Sequence, residues 1–175
     1  NLRNSRNFLL TLIDTVPTFI SVKDKDHKYV IANKAIIDEY QTTPTAIIGK
    51  TDFDFPDAVI LNKNNIIQNQ LAEQEVLKKQ TLRMLPEMSV KNKDGELKWY
   101  QETKVPIITP DNKNAVLTVT VDITERKKNA EILQEEYKKL RILMEETVDG
   151  LVSALEKRDP YTAGHQKRVA SLANE

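Results

Sequence analysis

The sequence predicts an α+β fold in which a five-stranded antiparallel sheet is flanked by helices and followed by a long C-terminal helix. Three observations support this prediction. Short segments rich in β-branched and aromatic residues are separated by polar turns. An irregular helical stretch divides the first two of these segments from the last three. From residue 122 onward the pattern changes to apolar residues at alternating spacings of three and four.

Composition excludes several classes of protein. The 175 residues include 26 basic and 26 acidic side chains, so the chain lacks the basic surplus of a nucleic-acid binder. Cysteine is absent, which excludes disulfides and thiolate chemistry. No apolar run reaches membrane-spanning length, so we expect a cytoplasmic module without membrane contact in these residues. The chain begins with Asn1 rather than Met, which is typical of an internal piece and leaves membrane attachment upstream open.

The first half of the chain contains one amphipathic helix, two strands and several shorter helices. Residues 1–16 carry apolar side chains at helical spacing, and Pro17 ends this helix. Strands are predicted at 19–22 and 29–31, on either side of a polar turn. Asn33 is a candidate N-cap for the next helix. Residues 44–79 are predicted to be helical, with a break at Gly49 and a restart at Pro56.

Three strands are predicted next, at residues 81–91, 97–108 and 115–121. The turn Asn92-Lys93-Asp94-Gly95 separates the first two, and Thr109-Pro110-Asp111-Asn112 separates the second from the third. Such short connections predict antiparallel neighbours.

The C-terminal segment has a heptad pattern, in which apolar residues recur with a mean period of 3.5. The pattern comprises Ala130, Leu133, Tyr137, Leu140, Met144, Thr147 and Leu151. We therefore expect residues 125–150 to form a coiled-coil signalling helix that pairs with a second copy in a parallel homodimer. After Thr147 the apolar stripe widens, as it does where a helix enters a globular core.

Several motifs resemble those of a PAS domain, within residues 8–126. They are Leu12-Ile13-Asp14-Thr15-Val16-Pro17, Val30-Ile31-Ala32-Asn33-Lys34-Ala35, Ile48-Gly49-Lys50-Thr51-Asp52-Phe53-Asp54-Phe55, Asn92-Lys93-Asp94-Gly95 through Trp99, and Val121-Asp122-Ile123-Thr124-Glu125-Arg126. Any one motif is weak, but the five in order are fairly specific. The resemblance implies a PAS domain at 17–124 that binds a small ligand between its sheet and its helices.

The resemblance also implies which side chains line this ligand cavity. They are Ile31, Tyr40, Phe53, Phe55, Ile67, Leu71, Met84, Trp99, Thr103 and Val119. Tyr100, Gln101 and Lys104 are polar candidates for orienting a carboxylate or amide, although Lys104 is predicted to face solvent. The alternative is that these side chains simply fill a core, and the sequence does not separate the two.

The PAS resemblance, taken with the residues present, disfavours two cofactors. Haem in PAS domains usually needs a His from the long helix, and residues 56–79 contain none. A cysteine-linked flavin is excluded because the chain has no cysteine. The sequence therefore assigns no cofactor to this domain, and divalent metals are expected only in the domain that follows it.

The junction between the last strand and the long helix is a candidate signalling element. Asp122 and Glu125 are spaced as a capping box, in which Asp122 caps the helix and Glu125 reaches back. The PAS resemblance implies that this junction, including Thr124, transmits changes in the sheet to the helix.

The end of the chain resembles the start of an HD-GYP domain, a family of cyclic di-GMP phosphodiesterases. The matching residues are Ala154-Leu155-Glu156-Lys157-Arg158-Asp159-Pro160-Tyr161-Thr162-Ala163-Gly164-His165 and Arg168-Val169. The resemblance makes His165 the first metal ligand of the longer parent protein, and Tyr161 stands where some relatives have a Glu ligand. Residues 151–175 would be the truncated start of this domain, so no catalysis or metal binding is expected from the chain alone.

The sequence thus predicts a sensory PAS module that binds a small ligand and controls an HD-GYP phosphodiesterase through a dimeric helix. Two alternatives remain open. The domain could belong to a histidine kinase, although Gly164, Gln166 and Lys167 around His165 do not match a phosphoacceptor site. It could also be a structural dimerisation domain with a filled core.

Overall fold

A computed structural model describes residues 2–56, 58, 63–92 and 94–158. The chain divides after Glu125 into two compact units, residues 1–125 and 126–175. In its described residues the first unit holds the sheet, four α-helices and one 3₁₀ helix, and most of the last helix belongs to the second unit. Residues 159–175, which include Tyr161 and His165, lie outside the described residues.

The sheet is antiparallel throughout and its strands follow the order β2-β1-β6-β5, with β3 and β4 both paired to the free edge of β5. The strands are β1 (Phe19–Asp24), β2 (Tyr29–Ala32), β3 (Arg83–Met84), β4 (Met88–Lys91), β5 (Leu97–Ile108) and β6 (Asn114–Asp122). The predicted five-stranded antiparallel sheet with flanking helices is confirmed. The strand expected at 81–91 is split into β3 and β4 around Pro86, which lacks the N–H that an uninterrupted ladder needs.

In the part of the chain that the structure describes, five α-helices and one short 3₁₀ helix accompany the sheet. They are α1 (Leu2–Asp14), α2 (Lys34–Glu39), α3 (Pro44–Ile47), the 3₁₀ helix (Asp52–Asp54), α4 (Lys63–Lys79) and α5 (Thr124–Arg158). The Asn33 side chain caps α2 by accepting a hydrogen bond from Ile36 N, as the sequence predicts. The same side chain donates to the carbonyl oxygens of Ile13 and Thr18, so one buried amide joins the end of α1, the start of β1 and α2.

The apolar core lies on the side of the sheet that carries α2 to α4. One group of buried side chains comprises Tyr29, Ile36 and Ile47, and a second comprises Ala58, Ile66 and Tyr100. Three half-buried aromatic side chains pack against both groups, namely Phe19, Tyr40 and Phe55. These shared aromatic side chains therefore join the two groups into one apolar core.

The middle strands have an unusual distribution of polar residues. On β5, Tyr100, Glu102 and Lys104 alternate with the half-buried Trp99 and Thr103. Because successive side chains of a strand point to opposite faces, these two sets lie on opposite sides of the sheet. The buried set includes two charged residues, Glu102 and Lys104. The face of the sheet that lies toward the helices therefore carries a row of polar side chains.

The helix α5 is continuous for 35 residues and begins at Thr124. One residue, Ile123, separates it from the end of the last strand at Asp122. Leu133, Tyr137, Leu140, Met144 and Leu151 of the heptad pattern are all more than half exposed in the single chain. No helix in the described part of the chain is both long and apolar enough to span a bilayer.

Candidate functional site

Five charged side chains form a cluster beneath the sheet: Lys23, Asp52, Glu73, Glu102 and Lys104. Each is at most 5% exposed to solvent. Lys23 Nζ lies 2.5 Å from Asp52 Oδ2 and 3.4 Å from Glu73 Oε1. Lys104 Nζ also lies 3.4 Å from Glu73 Oε1 and forms a second ion pair with Glu102 Oε1. We refer to these five residues as the charged cluster.

Each member of the charged cluster is placed by a different part of the fold. The register between β1 and β2 shifts after Val22, and Lys23 lies beyond this irregularity, opposite Tyr29. Glu102 and Lys104 share one face of β5 because they are two residues apart. The 3₁₀ helix supplies Asp52, and α4 supplies Glu73. The cluster therefore exists only when sheet, 3₁₀ helix and α4 are packed together.

Opposite charges close by keep Lys23 and Glu73 charged despite their burial. Burial opposes the charged form of Lys23, but the Asp52 and Glu73 carboxylates outweigh it and raise the pKa of Lys23. Burial also opposes ionisation of Glu73, but Lys23 and Lys104 outweigh it and hold the pKa of Glu73 below its ordinary value. His27 adds a contact on the outer side, where its Nδ1 lies 2.5 Å from Glu73 Oε2.

Two tyrosines extend the cluster. The Tyr29 hydroxyl donates to Asp52 Oδ1 over 2.5 Å and lies 3.1 Å from the Tyr40 hydroxyl. Burial is the largest cause that raises the pKa of both tyrosines, and the Asp52 carboxylate adds to it. Both phenols therefore stay neutral hydrogen-bonding groups through the physiological range.

Four members of the charged cluster, Lys23, Asp52, Glu102 and Lys104, line a small cavity of about 30 Å³. Besides charged-cluster members, its lining comprises Phe19, Ser21, Tyr29, Ile36, Tyr40, Asn69, Met88, Thr118 and Thr120. We call this space the inner cavity. It has room for a few water molecules, since one water needs roughly 10–15 Å³.

A larger groove of about 430 Å³ lies next to the inner cavity, between α4 and the β3–β4 segment. It is lined by Asn65, Gln68, Asn69, Leu71, Ala72, Glu75, Arg83, Leu85, Pro86 and Met88. We call it the outer groove. Asn69 and Met88 line both spaces, so these two side chains form the wall between them.

The side chains predicted to line the cavity are distributed over the whole domain. Tyr40 lines the inner cavity, Phe55 packs against Tyr40 with ring centroids 5.2 Å apart, and Leu71 lines the outer groove. Phe53, Ile67 and Met84 are about half or more exposed, at 49%, 48% and 60%. The structure thus brings three of the predicted residues to the site or its immediate surroundings.

Four predicted lining residues lie on the opposite face of the sheet: Ile31, Trp99, Thr103 and Val119. Thr103 pairs with Val119, and strand alternation places both opposite Glu102 and Lys104. The prediction placed apolar residues inward, whereas the sheet directs its polar stripe inward. The same correction applies to Lys104, which was expected to face solvent and is 1% exposed, and to Gln101, which lies on the outer face.

Sequence reasoning missed most of the charged cluster, namely Lys23, Asp52, Glu73 and Glu102. One feature of the sequence could have indicated this cluster, namely polar residues at alternate positions in three neighbouring strands. Ser21 and Lys23, Glu102 and Lys104, and Thr118 and Thr120 each lie two residues apart. Their ladder partners show that these three pairs form one polar patch across the sheet.

The junction at the end of β6 is tied to the neighbouring strand. Asp122 Oδ1 accepts a hydrogen bond from Thr124 N over 2.8 Å. Thr124 Oγ1 accepts from Trp99 N over 2.9 Å, and Ile123 N donates to the Trp99 carbonyl oxygen over 2.8 Å. The first residues of α5 are therefore held to β5 by backbone and side-chain bonds.

No group of three or more His, Cys, Asp or Glu side chains in the described part of the chain is arranged to hold a metal ion. The three carboxylates of the charged cluster are instead paired with lysines.

Several solved structures share this architecture. The PAS domain of BvgS from Bordetella pertussis is 21% identical, and the match covers 78% of this chain and 98% of that one with a TM-score of 0.54. Phage VqmA in complex with DPO is 16% identical over 77% of this chain and 60% of that one, with a TM-score of 0.57. VqmA of Vibrio cholerae is 20% identical over 68% and 52%, with a TM-score of 0.54. These similarities show the fold.

No curated protein matches the chain. A family model described as a PAS fold, however, matches residues 13–128, which is well over half of the sequence. This range contains the sheet, the charged cluster and the start of α5. The chain therefore belongs to the PAS family, whose domains are non-catalytic sensory modules.

Proposed function

We propose that this PAS domain binds a small polar molecule at the inner cavity and uses its occupancy to control a downstream HD-GYP phosphodiesterase through α5. The charged cluster around the inner cavity is the observation that supports ligand binding. Sites for small molecules combine apolar walls with a few converging polar groups, and here aromatic side chains stand beside five buried charges.

The charged cluster is difficult to explain by stability alone. Removing two charges from water costs several kcal/mol per ion, and replacing buried pairs by apolar side chains is often neutral or stabilising. The apolar groups around Ile36 and Ile66 already provide a core on the same side of the sheet. A purely structural domain with a filled core therefore does not need the charged cluster for its stability.

The outer groove supplies the additional room that a ligand needs. Ligand sites usually measure about 300–1,000 Å³, much more than the inner cavity alone. Only Asn69 and Met88 line both spaces, and a methionine side chain changes rotamer readily. A rotation of Met88 would join the inner cavity to the outer groove.

Control of the next domain is proposed from the junction and from the terminal motif. The bonds from Trp99 to Ile123 and Thr124 leave no flexible spacer between the sheet and α5. The HD-GYP resemblance of residues 151–175 supplies the output domain, with His165 as a metal ligand of the longer protein. A ligand shifts such a system only by its differential affinity for the two arrangements.

The ligand-binding proposal can be tested by extracting purified protein with hot solvent and analysing the extract by mass spectrometry. Ser21→Val places extra methyl groups in the inner cavity and should abolish recovery of the bound compound. Thr103→Val makes a similar change on the outer face of the sheet and should leave recovery unchanged. Extracts without a compound from all three proteins, together with only ordered water in a crystal structure of the cavity, would overturn the proposal.

A further inference from the structure

The charged cluster contains more negative than positive groups. Its formal charges are three carboxylates, Asp52, Glu73 and Glu102, against two ammonium groups, Lys23 and Lys104. An uncompensated charge in a buried site is costly, so a site of this kind favours a further cation. His27 contacts Glu73 from the outer side of the cluster. The excess negative charge is therefore expected at the carboxylate that has the fewest partners.

Glu102 is that carboxylate. Asp52 receives both Lys23 and the Tyr29 hydroxyl, and Glu73 has both lysines within 3.4 Å. Glu102 Oε1 forms an ion pair with Lys104 Nζ, but it accepts no hydrogen bond from the described residues.

The surroundings of Glu102 can accept a small donor group. Its side chain is 5% exposed and faces the inner cavity, together with the hydroxyl groups of Ser21 and Thr120. An ammonium group has three N–H donors, and these three side chains offer three acceptors. The volume of about 30 Å³ fits such a head group but not a whole organic molecule.

The remainder of a ligand would lie beyond Asn69 and Met88. The outer groove has an apolar part formed by Leu71, Leu85 and Pro86. Met88 adds a flexible apolar side chain at the boundary of the two spaces. A molecule that extends from Glu102 into this groove must therefore be polar at one end and apolar along the rest.

We propose that the ligand is a primary amine with a short apolar tail. Its ammonium group binds beside Glu102, and its tail passes between Asn69 and Met88 into the outer groove. This inference rests on the proposed ligand-binding function and names the chemical class of the ligand.

The test compares head groups on one tail by calorimetry on the whole chain, with n-butylammonium, butyramide and butyrate as probes. We expect n-butylammonium to bind at least about tenfold more tightly than either of the others, which corresponds to about 1.4 kcal/mol. Glu102→Gln keeps the shape of the side chain and should weaken this binding by at least the same factor. Glu131→Gln, on the exposed surface of α5, should leave it unchanged.

A second pair of measurements tests the route of the tail. Met88→Trp should weaken n-butylammonium binding while methylammonium, which has almost no tail, keeps its affinity. Equal or tighter binding of butyramide or butyrate would overturn the amine class and leave ligand binding itself intact. Failure of all probes to bind would also overturn the amine inference, and the extraction experiment would then decide the proposed function separately.

Discussion

Lys104 Nζ on β5 lies 3.4 Å from Glu73 Oε1 on α4, and both side chains are 1% exposed. This ion pair crosses the space between the sheet and the longest helix of the PAS domain. Lys104 is also close to Glu102 on its own strand and donates a hydrogen bond to Thr118 on β6 over 3.3 Å. It is therefore the side chain that connects α4 with both central strands.

Replacing Lys104 by Met should destabilise the domain by about 3–5 kcal/mol, because it removes one of the two lysines beside Glu73 and leaves Glu102 with an uncompensated buried charge. Urea denaturation measures the loss. Lys98→Met is the matched control, since Lys98 lies on the same strand, is 35% exposed and is 3.8 Å from Asp122. That change should cost less than about 1 kcal/mol. Equal losses for the two variants would contradict the structural role of Lys104.

The triple variant Lys104→Met, Glu73→Gln and Glu102→Gln should be more stable than Lys104→Met alone. The two added changes remove the charges of the two carboxylates that Lys104 contacts, while side-chain size is kept. Denaturation midpoints of the two proteins provide the comparison. A triple variant that is less stable than the single one would show that hydrogen bonding, rather than charge, dominates this site.

Stability should fall in acid because of Glu73. Its pKa is lower in the folded protein than in the unfolded chain, so its contribution is present above about pH 4.3 and is lost as the pH falls through the lower folded pKa. Lys23 and Tyr29 have raised pKa values, so their contributions are present below about pH 10 and are lost as the pH rises further. Thermal unfolding from acidic to alkaline pH tests both limits, and Glu73→Gln should flatten only the acid side.

The heptad residues of α5 predict a parallel homodimer. Leu140 and Leu133 are 54% and 67% exposed in the single chain, and helices in proteins gain most of their stability from packing such an apolar face. Leu140→Asp should therefore give a monomer in sedimentation experiments. Lys138→Asp introduces the same side chain away from the heptad residues and should leave the dimer intact. A wild-type chain that is already monomeric at high micromolar concentration would refute this prediction.

A short glycine insertion after Glu125 should uncouple the PAS domain from its output. The insertion leaves the bonds between Trp99 and Thr124 in place but adds flexible backbone before the heptad residues. In the longer protein we expect basal cyclic di-GMP hydrolysis to persist while its response to the PAS ligand is lost. An unchanged response would mean that the signal does not travel through this junction.

Local sequence features were sufficient to predict most elements of the fold. Turn residues such as Asn92 and Gly95 predicted the β4–β5 hairpin, and Asn33 predicted the start of α2, because these effects act over a few residues. The absence of a spacer after Val121 likewise predicted an early start of α5. The pairing of β1 with β6 was not specified locally, since it joins Ile20 to Val119 from opposite ends of the domain.

The orientation of the sheet is the point at which local pattern was insufficient. Alternation along β5 shows that Glu102 and Lys104 share one face and that Trp99 and Thr103 share the other, but it is equally compatible with either face turned inward. The usual rule places the apolar face inside. Here Asp52 and Glu73 arrive from distant segments and neutralise the lysines, so the polar face can be buried. Packing of these separate segments, rather than any single strand, creates the candidate site.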